Sequence, residues 1–328
     1  MNIHRKHIVV ILVVFVVVVA MLLIESNQKR GFGYISTLAT TSDGALLVGN
    51  SAGLYCYKDG DWTITDRHTL PTSYVSAITV TDKDVVWVGC ASIRGVGGIA
   101  YSSNGKWHRS GSTYAPYSDD HVEALHITDS GSVWVGTEYG DIVKITDNVI
   151  VNYSDKWKEH NVKNVRAITE TSDGTIWIGC GVWPDKGKLF AYKNDKLTRM
   201  TLPNRLGQAI WCMITSNDGS LWIGTNSGVG VFSNGQWTVY NSKNNNIGGD
   251  DVLTMYQTKL GTVWIGTDVG LSSYGDGKWQ KHDLKLDGTE NLTISAITQT
   301  NDDTLWIGFH EGKLAKYVQG ELSFVEPK

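Results

Sequence analysis

A surplus of positive charge is missing from this sequence. The formal net charge is −4 over 328 residues, and the first thirty hold Arg5, Lys6, Lys29 and Arg30 against Glu25, which leaves −7 on residues 31–328. That sign opposes phosphate, and there is no basic stripe with interleaved aromatics, so no nucleic-acid partner is expected. Cysteine is sparse: Cys56, Cys90, Cys180 and Cys212 are far apart and make neither a CxxC pair nor a disulfide framework. Catalytic signatures are absent too, with no GxSxG, HExxH, P-loop or GxGxxG in a βαβ setting. The glycines at 95–98 form a lone loop with no helix behind it to receive a phosphate. No cofactor and no metal centre are therefore expected.

Helical periodicity is missing after Ile24, which points to an all-β chain. Before it lies one uninterrupted apolar run of 17 residues, Ile8–Ile24, with Arg5 and Lys6 in front. As a helix it would span about 26 Å at ~1.5 Å per residue, near the short end of a bilayer crossing. No small-x-small cleavage site follows, so the expectation is a retained single-pass membrane anchor within residues 1–30. The basic residues ahead of the run place the N-terminus in the cytoplasm and residues 31–328 outside it, although Lys29 and Arg30 weaken that asymmetry.

What the remainder does contain is one phrase written seven times. ALLVGN (45–50), VVWVGC (85–90), SVWVGT (132–137), TIWIGC (175–180), SLWIGT (220–225), TVWIGT (262–267) and TLWIGF (304–309) place glycines at 49, 89, 136, 179, 224, 266 and 308. Spacings of 40 to 47 residues belong to repeat architectures. The fifth repeat parses by turn chemistry into strands at 208–215, 221–225, 229–232 and 237–240, separated by Asp218-Gly219, Asn226-Ser227-Gly228 and Asn234-Gly235. Each repeat thus reads as a four-stranded meander. In VWVG, Val133 and Val135 occupy one face of a strand and Trp134 the other, so both faces need cover. Radial stacking provides it, and the expected fold is a seven-bladed β-propeller over residues 31–328. Trp87, Trp134, Trp177, Trp222, Trp264 and Trp306 are expected between blades, with Trp62, Trp107, Trp237 and Trp279 packing near the outer strands. The following glycine is expected to let backbones or rings approach closely. Cys90 and Cys180 stand where other repeats have threonine, as small, half-buried residues at strand ends. How the ring closes is open, with residues 31–34 as a possible addition to the last blade.

The phrase DG-x-LWIGT, followed by Gly-Leu and an aromatic-polar strand, resembles the two-component regulator propeller repeat of extracytoplasmic sensor regions in bacterial hybrid histidine kinases. The first repeat departs, with Leu47 for Trp and Asn50 for Thr. The resemblance implies a propeller that recognises a ligand or another protein, with glycan sensing a recurrent theme. Sensors of that kind usually carry a second propeller and, after the propellers, a β-sandwich, a membrane helix and a kinase; none of these is expected after the single propeller here, so the signal would have to pass to another chain or across the N-terminal helix.

Propeller ligands generally lie over one end of the central channel, where the loops between second and third strands converge with the blade-to-blade connections. Two such loops are enlarged, at 90–98 and 180–187, and supply Arg94, Trp183 and Asp185; other blades hold Glu138, Tyr139, Asn226, Asp268, His310 and Glu311 at equivalent places. Aromatics with carboxylates and amides suit a small polar ligand, carbohydrate included. Asp119, Asp120, His121 and Glu123 form the densest metal-like cluster, read as a solvated acidic turn. The enlarged connections at 114–117 and at Trp157 suit a protein contact. The leading reading is a non-enzymatic, membrane-anchored sensory propeller whose partner is a small polar ligand or an envelope protein. An enzyme, a lyase or hydrolase, would have to use His310 with Glu311 or His121 with Glu123. An assembly scaffold would use the outer strands.

Overall fold

The computed structural model describes residues 32–91, 97–109, 121–147, 149–181, 187–207, 209–245, 247–284 and 293–327. The fifth repeat folds as strands Ile210–Thr215, Leu221–Thr225, Gly228–Ser233 and Gln236–Tyr240, in antiparallel sequential order. Six further four-stranded sheets copy it, so the unit Phe32–Glu326 is a seven-bladed propeller. The first turn of each blade needs a left-handed residue, as at Gly219 with φ 81°. Where glycine is missing, Asp84 (φ 57°) and Asp303 (φ 63°) take the same conformation, which short polar side chains tolerate.

Within each blade the first strand lines the channel and the fourth lies outermost. Seven apolar clusters form the core, each between two neighbouring blades. Trp134 is 2% exposed and packs with Ile168, Ile176 and Ile178 of the next blade, whereas Val133 and Val135 pack with Ile99 and Trp87 of the previous one. The strand is apolar on both faces because it belongs to two interfaces. Leu47, the departure in the first repeat, fills its interface with Val86 and Val88 of the second blade.

The glycine after the tryptophan answers to a side chain, not to a backbone or a ring. A Cβ on Gly136 would lie 2.3 Å from Val165 Cγ1, on Gly89 2.5 Å from Val122 Cγ1, and on Gly308 2.6 Å from Ile35 Cγ2. In each case the neighbour is the β-branched residue that opens the next blade's inner strand. Gly308 against Ile35 shows that blades seven and one meet as any other pair does. Blade seven is a single continuous segment, Ile294–Val325, and residues 32–34 add no strand to it. Instead Phe32, 1% exposed, joins the core shared with Trp306 and Leu314, edge-on to Tyr55 and Trp62 at 5.3 and 5.0 Å.

Three expectations need correction. Trp157 is not a surface contact: it is 3% exposed and stacked on Tyr153 at 4.6 Å, closing the core beneath Trp134. Single helical turns also occur in connections, at Lys158–His160 and Ser242–Asn245. All four cysteines are free; Cys90 and Cys180 lie near the ends of their strands as expected, but fully buried where half-burial was expected. Residues 1–31 lie outside the described residues. Among the described residues no helix is long and apolar enough to cross a membrane.

Candidate functional site at the channel mouth

Every inner strand carries a fully buried β-branched residue at its start, or one place in for Val75, which follows Tyr74: Ile35, Val75, Val122, Val165, Ile210, Val252 or Ile294. Each is followed by a register shift against the second strand, so that one extra residue has no partner across the ladder. The seven unpaired residues are Ser36, Ser76, Glu123, Arg166, Trp211, Leu253 and Ser295, and all seven line one cavity of ≈ 610 Å³ in the channel. A β-bulge re-aims a side chain; here seven bulges aim seven side chains inward.

The ring they form has two unlike arcs of three, with Leu253 of the sixth blade between them. Across blades seven, one and two the residue is serine, and its hydroxyl lies against two carbonyls, that of its own blade's glycine and that of the next blade's opening residue. Ser295 Oγ is 3.2 Å from Gly308 O and 2.6 Å from Ile35 O, Ser36 reaches Gly49 O at 3.0 Å as well as Val75 O, and Ser76 reaches Gly89 O at 3.1 Å as well as Val122 O. These serines stitch blade to blade. Across blades three to five the same position carries Glu123, Arg166 and Trp211. Arg166 Nη1 donates to Glu123 Oε2 at 3.1 Å, its Cζ lies 5.6 Å from the Trp211 ring centroid, and Trp211 Nε1 donates to Asp251 Oδ1 at 2.7 Å. Tyr34, Tyr74 and His310 complete the cavity wall above the serine arc. Tyr34 lies edge-on to both, at 5.9 Å from Tyr74 and 4.4 Å from His310.

Burial raises the Glu123 carboxyl above its ordinary range, and the nearby charge of Glu138 adds to this while Arg166 and His121 oppose it. Burial likewise raises Asp251, with Asp268 adding and the Trp211 hydrogen bond opposing. Burial is also the main reason Tyr34 and Tyr74 are raised, so both phenols stay protonated at neutral pH. Among the described residues the mouth therefore holds crowded carboxylates with the guanidinium of Arg166 between them.

Of the residues expected at the rim, Arg94, Trp183 and Asp185 lie outside the described residues, as do Asp119 and Asp120. Glu138 is brought into the site, where His121 Nδ1 meets its carboxylate at 2.9 Å. Its opposite number Glu123 pairs with Arg166 instead of with His121. His310 lines the cavity, while Glu311 next to it is exposed to solvent. Asp268 accepts from Thr293 Oγ1 through its carbonyl at 3.3 Å, and its Oδ1 is buried without a partner among the described residues. Asn226 and Tyr139 are outside the cavity. Asn226 Oδ1 accepts from Ala209 N at 3.3 Å, a link between adjacent segments of the fifth repeat, and Tyr139 is 67% exposed beside a smaller pocket with Trp157 and Lys158. His121, Glu123 and Glu138 could present ligand atoms within 4.8 Å of one another to a metal. Each already has an ionic partner, however, and the Arg166 charge beside Glu123 competes with any cation.

Sequence reasoning missed Tyr34, Tyr74, Arg166, Trp211 and Asp251. The available signal was an alignment of the repeats on the residue after the opening Val or Ile of the inner strand, where Ser gives way to Glu, Arg and Trp.

The two component regulator propeller profile matches residues 160–181 and 204–227. Those two stretches, in the fourth and fifth repeats, are similar to two component regulator propeller repeats. No curated protein matches it in sequence. Among solved structures, the extracellular domain of the hybrid two-component system BT3049 from B. thetaiotaomicron is similar in fold, with a TM-score of 0.72 at 19% identity over 90% of this chain. The chain spans only 39% of that domain's length. A streptogramin B lyase is similar over 91% of this chain and 95% of its own (TM-score 0.70, 18% identity). The virginiamycin B lyase of Staphylococcus aureus, in a catalytically inactive variant with quinupristin, is similar over 91% of this chain and 98% of its own (TM-score 0.70, 15% identity). At these identities the likeness speaks for the fold.

Proposed function

We propose that the chain is a sensory or binding propeller outside the cytoplasm, and that its channel mouth takes a small polar ligand without converting it. One observation carries this reading: the ring of bulge residues keeps its blade-stitching serine in three blades and gives it up for Glu123, Arg166 and Trp211 on one side of a ≈ 610 Å³ cavity. That volume falls in the usual range of small-molecule pockets, roughly 300–1,000 Å³. The repeat type, and a fold shared with the extracellular domain of a hybrid two-component system, support placement outside the cytoplasm. Membrane attachment rests on the apolar sequence of residues 8–24.

The test is the melting temperature of the full-length chain against saccharides, amino acids and small metabolites, repeated with Trp211→Ala. A ligand that binds only the folded state must raise it. A shift lost in the variant supports the reading; no shift with any compound, together with capture of an envelope protein that Trp211→Ala does not weaken, overturns it.

A catalytic reading has one observation in its favour, the His121–Glu138 pair at 2.9 Å beside Glu123. A carboxylate that orients a histidine is a common general-base arrangement. The fate of a bound compound separates the two: recovery unchanged supports binding, and conversion that disappears in His121→Ala supports an enzyme.

A further inference from the structure

The binding reading leaves the ligand's chemistry open, and the guanidinium of Arg166 narrows it. Its Nη1 is held by Glu123 and one face lies against Trp211, so the group is fixed before any ligand arrives. Its Nε is buried, and no described residue accepts that proton. A guanidinium has five N–H donors in a rigid fork, and the side bearing Nε can grip a carboxylate through two parallel bonds. The missing partner is an acceptor, and a positively charged donor favours an anionic one.

A simple anion nevertheless matches the surroundings poorly. Glu123 is beside the guanidinium, Glu138 lies at the rim, and Asp251 lies beyond the indole. Asp268 Oδ1, close to Asp251, is itself buried with no donor among the described residues. A simple cation fails for the complementary reason, since it would meet Arg166 on the same wall and leave Nε unpaired. A molecule that carries a carboxylate and an ammonium close together satisfies both demands.

We propose that the channel mouth binds an α-amino acid head group, with the carboxylate on the Nε side of Arg166 and the ammonium toward the neighbouring carboxylate Glu123. The ligand's side chain then lies against the aromatic wall of Tyr34 and Tyr74. This rests on the binding reading above and specifies its ligand.

The test is calorimetric titration of the full-length chain with each of the common L-amino acids, with their N-acetyl forms, which lack the ammonium, with their amides, which lack the carboxylate, and with glucose and N-acetylglucosamine. At least one free amino acid is expected to bind, and blocking either end is expected to weaken it about tenfold or more, as loss of a charged hydrogen bond implies. Arg166→Gln is expected to weaken the free amino acid by a similar factor and to have little further effect on the amide. The blocked ligands test the idea on the unaltered protein, so a poorly folded variant does not rescue it. Binding that ignores the loss of either charge overturns the proposal. A neutral sugar that binds through Trp211 while no amino acid binds overturns it but leaves the binding reading standing. Absence of any channel-dependent binding removes both.

Discussion

The seven-fold phrase makes its sharpest mechanical claim at Gly136. Its backbone is ordinary for a strand, so replacement by alanine costs nothing in conformation. The cost is steric: the new methyl would lie 2.3 Å from Val165 Cγ1, 2.9 Å from Val165 Cβ and 3.2 Å from Ile168 Cδ1. All three atoms belong to the next blade's inner strand, held in the core that contains Trp134, so none can swing into solvent. Overpacking of this kind costs about 1–3 kcal/mol. Val165→Ala alone also destabilises, because it empties a fully buried site. In the double variant the new methyl takes up part of the space that Val165 vacates. The pair should therefore be more stable than the sum of the two single losses, by about 0.5–3 kcal/mol. Urea unfolding followed by tryptophan fluorescence gives all four stabilities. Gly261→Ala is the control: nothing lies within 4 Å of its Cβ, but φ is +90°, so its loss comes from the backbone and should be indifferent to Val165→Ala. Strict additivity of Gly136→Ala with Val165→Ala would refute the claim that this glycine exists to admit the next blade's β-branched residue.

Two further expectations follow from the same inner strands. Burial depresses the His126 imidazole from 6.5 to about 4, so the unfolded chain binds a proton in that interval that the folded chain refuses, and stability must fall as pH drops from 6.5 toward 4. At roughly 1.4 kcal/mol per unit the loss is about 3 kcal/mol, and His126→Phe should flatten that part of the stability–pH curve. No difference between the two proteins' acid limbs would sink the assignment. Ser76→Ala removes a hydroxyl that joins blades two and three, and should cost about 1–2 kcal/mol in urea unfolding; a neutral result would make the serine bridges incidental.

The scaffold was legible because its rules are local. Asn234-Gly235 has both residues at positive φ, 51° and 77°, as a tight hairpin turn demands, and the Trp–Gly phrase marks the second strand of six blades, with Leu47 in place of Trp in the first. The channel was less legible because its side chains sit on bulges. Period-two alternation places His121 and Glu123 on one face and invites their pairing. In the fold Glu123 is the extra residue between the pairs Val122–Thr137 and Ala124–Gly136, and it turns to Arg166, 43 residues away. Nothing in a strand's periodicity announces a bulge. Glu138 and His310 follow the repeated spacing of the second strand, and His310 lines the cavity while Glu138 pairs with His121 beside Glu123; Asn226 looked equivalent to them and instead ties adjacent segments of its own repeat together.

A repeat protein carries its own comparison set, and that is what separates scaffold from site here. Positions that all seven blades must satisfy, such as the glycine and its β-branched neighbour, record the demands of closing a ring. The bulge position faces the same backbone demand in every blade, and serine meets it in three by bonding to carbonyls of two blades at once. In blades three, four and five Glu123, Arg166 and Trp211 forgo that link, although a serine would fit the same bulge. They answer to one another instead, carboxylate to guanidinium to indole to the carboxylate of Asp251. A chain of contacts that crosses four blades, costs three stitches and still leaves the Nε of Arg166 buried with no acceptor among the described residues is poor design for stability. It is what a site looks like when its last hydrogen-bond partner arrives from solution.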